Sequence, residues 1–88
     1  MRPRSTNDAE TLALSALATT LRDERRARRF LDLSGIGTDE LRRRAAEPAV
    51  LAGLIRFLEA HEPDLIEVAE AIGVSPEALV SAREDLEK

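Results

Sequence analysis

The sequence predicts an all-α fold, a compact bundle of five or six short helices, and three observations carry that prediction. Apolar residues recur at helical i, i+3, i+4 spacing, and no segment shows the period-two alternation of a strand. Glycine and proline fall at the joints between apolar runs, Gly53 and the terminal Pro3 excepted. Capping residues stand where the runs begin. With 88 residues, 43% of them apolar, the chain holds a single domain with a core.

Helix 1 is expected from Asn7, with Glu10 three residues on as in a capping box, to about Arg22. Residues 1–6 are expected as a flexible tail and 7–88 as the domain. Thr11, Ser15, Thr19 and Arg22 form one narrow polar strip, while Leu12, Ala13, Leu14, Ala16, Leu17 and Leu21 cover the rest. A helix apolar over most of its circumference is buried on several sides. Helix 1 is therefore expected as either the central strut or half of an interface.

Asp23 is placed to cap helix 2, which closes before Gly35 as a left-handed terminal residue. Ala27, Phe30, Leu31 and Ser34 share one face; Arg22, Arg25, Arg26 and Arg29 share a second. Helix 3 begins after Thr38, with Leu41 and Ala45 inward and Arg42, Arg43 and Arg44 largely outward. Pro48 opens helix 4 at its first position, and Val50, Leu51, Leu54, Ile55, Phe57 and Leu58 give it a wide apolar face. Gly53 costs that helix about 1 kcal/mol relative to Ala. With Ala49 and Ala60 it makes a flank of small residues, where another helix can approach closely.

Glu62-Pro63 starts helix 5, which buries Leu65, Val68, Ala69 and Ile72 before Gly73. Ser75 caps helix 6, Pro76 opens it, and Val74 and Leu79 bracket the cap as a hydrophobic staple. Leu79, Ala82 and Leu86 face inward. Gly35 to Leu41 aligns with Gly73 to Leu79, so the chain reads as two helix-turn-helix-like hairpins with helix 4 between them. Shared capping rules account for this likeness as well as duplication does.

Residues 68–79 carry the small residue, turn glycine and apolar anchors of a DNA-binding helix-turn-helix in Ala69, Gly73, Val74 and Leu79. The charge is wrong for that role. From Ser75 onward two bases face four acids, and such a helix is repelled by phosphates. The net charge of −4 also hides a polarity. Residues 1–46 hold ten arginines against seven acids, and residues 47–88 hold three bases against ten acids. Either the halves fold against each other and neutralise, or the basic half meets a partner.

Clustered guanidinium groups grip phosphates and carboxylates, which makes Arg22, Arg25, Arg26, Arg29, Arg42 and Arg43 candidate partner-binding residues, with Leu12 and Leu14 of helix 1 as apolar candidates. Nucleic acid is the alternative partner for the arginine cluster, although no Tyr or Trp is present to stack bases and both phenylalanines read as buried. His61 reads as a histidine favoured by a helix C-terminus rather than a metal ligand. The carboxylates read as exposed. With no cysteine, Ser-His spacing or glycine-rich phosphate loop, the expectation is a non-enzyme without cofactor or metal. The N-terminus lacks the apolar stretch of a signal peptide and no segment reads as a membrane span, so the expected compartment is the cytoplasm. Arginine-dominated basic residues and abundant alanine suggest the coding bias of a GC-rich bacterium.

The run Glu10, Leu12, Ala13, Leu14, Ala16, Leu17, then Arg29-Phe30-Leu31 with Leu33 and Gly35, then Leu41-Arg42, Pro48, Leu51, Leu54, Phe57-Leu58 and Glu62 resembles a small alphaproteobacterial family. It is number three-five-seven-two among the domains of unknown function. The likeness covers about residues 8–86 and rests on core and capping positions. It implies a shared fold and brings no activity, substrate or catalytic residue. Glu47 departs from the Asp expected as cap before Pro48, and His61 is peculiar to this chain. The sequence thus points to a protein-interaction module, acting as a homodimer or with an unidentified partner. Its contact is expected on helix 1 or on the small flank of helix 4, rimmed by helix 2 arginines.

Overall fold

Local punctuation sets most of the architecture in the computed structural model, which describes residues 6–88. The Asp23 side chain accepts the Arg26 backbone N–H at 3.0 Å and turns the chain from α1 (Thr6–Arg22) into α2 (Glu24–Ser34). Gly35 ends α2 at φ 73°, a left-handed conformation that costs glycine nothing. Then follow α3 (Thr38–Arg44) and α4 (Pro48–Glu59), the latter opened by Pro48 as expected. Gly73, at φ 80°, separates α5 (Glu62–Ile72) from α6 (Pro76–Leu86), and the Ser75 hydroxyl accepts the Ala78 N–H at 3.1 Å. No strand occurs among the described residues.

Two start signals act differently from expectation. The α1 helix already includes Thr6, so Asn7 falls inside it; the expected tail otherwise lies outside the described residues. Glu47 precedes α4 without capping it. Its carboxylate accepts Arg44 Nε at 3.0 Å instead, because the extra methylene carries it past the backbone N–H groups that an Asp would reach.

The α1 helix is the central strut, packed by α2, α4, α5 and α6. Ala9, Ala13, Ala16, Leu17 and Thr20 form its buried face. The alanines let neighbouring helices come close and bury this face, while Leu14 and Leu21 stay exposed on the other side. Thr20 satisfies its buried hydroxyl by donating to the Ala16 carbonyl at 2.8 Å. Leu51, Leu54, Ile55 and Leu58 of α4, Val68 and Ala69 of α5, and Leu79 and Ala82 of α6 complete the core with zero exposure. Leu41 anchors α3 from below, yet α3 packs only sparsely on its neighbours. That sparseness leaves space between α2, α3 and α4.

Candidate functional site

The arginine face of α2 divides in two. Arg26 and Arg29, one turn apart, reach across to Asp64 in the first turn of α5. Arg26 Nε donates to Asp64 Oδ1 at 3.0 Å, and its terminal nitrogen donates to Glu67 at 2.6 Å. Arg29 donates to Asp64 Oδ2, and His61 Nδ1 lies 3.0 Å from the same oxygen. Burial alone would raise the Asp64 carboxyl. Hydrogen bonds from Arg29, His61 and Arg26 outweigh it and hold the group below its ordinary value. The Asp64 side chain is only 7% exposed, which corrects the expectation that every carboxylate lies on an exposed face. Two of the three donors on this buried carboxylate, Arg26 and Arg29, tie the basic half to the acidic half.

Asp64 was the residue that sequence reasoning missed, and a signal for it existed. It lies one residue before Leu65 and four before Val68, so it continues the buried stripe of α5 toward a half rich in arginine. His61 also finds a different employment, at the N-cap position of α5 with its ring turned to Asp64.

Next to this clamp opens a groove of about 830 Å³ between α2, α3 and α4. Phe30, Ile36, Val50 and Phe57 line it, and Ala49, Gly53 and Ala60 form the low flank of α4. Phe57 is half-buried rather than buried, because one side of its ring faces this opening. Its ring meets Phe30 edge to face, with centroids 5.4 Å apart, and the Arg29 guanidinium lies 5.3 Å from its centroid. Leu33, 77% exposed, stands at the margin. Nothing lies within 4 Å of where a Cβ on Gly53 would sit. A smaller depression of about 490 Å³ flanks α4 on another side and shares Ala49, Gly53 and Arg56.

The ionisable residues lining the groove are Arg29, Arg44, Arg56 and His61, and none of the described residues lining it is an acid. Arg44 is held by Glu40 at 2.8 Å and Glu47 at 3.0 Å, and Arg56 by both oxygens of Glu87 at 2.5 and 2.9 Å. The expected residues distribute unevenly around this site. Arg29 lines the groove and Arg26 stands behind it in the clamp. Arg22, Arg25, Arg42 and Arg43 are exposed, form no ion pair among the described residues and do not line the groove. On α1, Leu12 is half-buried and Leu14 is 38% exposed, and neither lines the groove. In α6, Arg83 is held by both oxygens of Glu59, at 2.6 and 3.1 Å, and by Glu87 at 2.9 Å. The only arginine of that helix is thus engaged within the fold.

Among the described residues no group of His, Cys, Asp and Glu is placed to hold a metal ion. None of the helices described is long and apolar enough to cross a membrane. Residues 6–88 match the family model described as protein of unknown function, DUF3572, and the chain belongs to that family. No curated protein and no solved structure matches it.

Proposed function

We propose that this DUF3572 protein is a non-catalytic protein-binding module that works through the groove between α2, α3 and α4. One observation carries the reading. A helix with a wide buried face also turns Ala49, Gly53 and Ala60 outward beside an apolar opening of about 830 Å³. Exposed small residues let a second backbone approach closely, and apolar grooves between helices accept an amphipathic helix. The opening has no nucleophile activated by a base, and each arginine lining it is paired with a carboxylate of the fold. Binding is the chemistry these residues support. The nucleic-acid alternative draws no help from α6, where Glu77 and Glu84 are exposed while Arg83 is engaged.

Affinity capture from the native cell with three baits tests this reading. Wild type and Gly53→Ala should recover the same protein, because a methyl group barely intrudes. Gly53→Leu should lose it while keeping its fold, since the added side chain points into open space. Recovery undiminished by Gly53→Leu removes the groove from the account.

A further inference from the structure

The sign of the rim specifies the occupant more narrowly than the groove's shape does. We infer that the groove selects an amphipathic α-helix with acidic flanks, supplied by a different protein, an inference that rests on the binding-module reading above. Every ionisable group lining the opening is basic or histidine. Each guanidinium offers five N–H donors, and the internal ion pairs leave part of that capacity open. Arg29 gives Asp64 one terminal nitrogen, and Arg56 remains 61% exposed despite its pair with Glu87. The pairs of Arg44 and Arg56 are largely exposed, where an ion pair contributes little, so these two arginines can share partners when a carboxylate arrives.

The apolar floor requires the occupant to bring side chains of its own. Phe57 exposes one ring side, Leu33 stands open at the edge, and Gly53 leaves room for a backbone. An acidic loop satisfies the rim but leaves that floor wet. A basic amphipathic helix covers the floor but meets three arginines. Only apolar and acidic character on one helix satisfies both.

The chain's own segments do not meet this description. Residues 1–5 carry Arg2 and Arg4, the same sign as the rim. On α1 only two large apolar residues are exposed, Leu14 and Leu21, two turns apart and too few for a continuous stripe, with Glu10, Arg22 and Glu24 of mixed sign around them. The outer face of α5 is acidic through Glu62, Glu67 and Glu70, yet Ile66 is its single exposed large apolar residue. Neither residues 1–5 nor the exposed faces of α1 and α5 match both requirements, which favours a separate polypeptide over a second copy.

Two designed peptides of about 18 residues, long enough for appreciable helicity, test the inference on the full-length protein. Both carry one leucine stripe at helical spacing; one has glutamates beside it and the other lysines. Titrations followed by anisotropy and by backbone amide shifts should show the Glu peptide binding at least about tenfold more tightly, with shifts at Ala49, Gly53 and Ala60. Arg56→Gln should narrow that preference, and Gly53→Leu should abolish binding of both peptides. Equal affinity with shifts in the groove overturns charge selection and leaves the binding-module reading standing. Binding of neither peptide, or shifts confined to other surfaces, overturns both. Laurate that fills the groove while the peptides do not identifies a small amphiphile as the occupant and also overturns the inference. Dimerisation that is blocked by Gly53→Leu assigns the groove to a second copy, with the same consequence.

Discussion

The two halves of the molecule repeat one local plan and reach different ends. Gly35 and Gly73 both take left-handed conformations at φ 73° and 80°, and Leu41 and Leu79 follow each at the same spacing into the core. In the second half the Ser75 hydroxyl caps α6, which then packs on α1, α4 and α5. In the first half Gly37 stands at the cap position with no side chain to offer, and α3 is seven residues long with sparse packing. The difference teaches where binding capacity resides. A tightly packed hairpin consumes its apolar surface internally, while the loosely packed one leaves Phe57, Leu33 and the low flank of α4 accessible.

The equivalent leucines give the largest contrast. Leu79→Ala should cost about 3–4 kcal/mol, because a fully buried site walled by three helices cannot collapse around the cavity. Leu41→Ala should cost only about 2 kcal/mol, since α3 can settle inward. Urea denaturation of both variants measures the gap, and equal losses would mean that the two hairpins are equally rigid.

Asp64 joins the halves, and its removal comes next. Asp64→Ala should lose about 2–3 kcal/mol, below the usual range for a broken buried pair because Arg26 keeps Glu67 and Arg29 remains partly in water. The carboxyl is held below its ordinary value of 3.8 in the folded protein. Its stabilisation is therefore complete above about pH 5 and drains away as pH falls through 3.8 toward the folded value. Acid titration of stability should show a shallower loss in Asp64→Asn than in wild type over that window. Parallel curves would count against the clamp.

The caps give smaller effects of opposite sign. Ser75→Ala should destabilise by about 1 kcal/mol, while Gly37→Ser should stabilise by a few tenths. Thermal melts compare them directly. A Gly37→Ser variant that is clearly destabilised would show that α3 resists the cap geometry its counterpart uses.

Much of the fold was legible in residue spacing, and the reason is local. Asp23, Gly35, Pro48, Gly73 and Ser75 act through their own backbone, so their roles need no knowledge of what packs nearby. The small flank Ala49, Gly53 and Ala60 was likewise visible as a place of close approach, and it borders the groove. Tertiary placement was harder to read. Arg22, Arg25, Arg26 and Arg29 share one helical face in sequence. Only α5, thirty-odd residues later in the chain, decides that Arg26 and Arg29 are clamped while Arg22 and Arg25 stay solvated. Helix 1 is the central strut that its apolar spread allowed, and its buried face is mostly alanine, which needs far less partner surface to bury than leucine does.

The central claim is that the opening beside the loose hairpin meets another polypeptide, and site-specific photocrosslinking in the native cell addresses it most directly. A photoreactive residue replaces Leu33 at the groove margin, with a control replacing Glu77 on α6. The account predicts a discrete protein adduct from position 33, absent from position 77 and lost when Gly53→Leu is added. Adducts that form equally from both positions, or that persist with the groove filled, would contradict it.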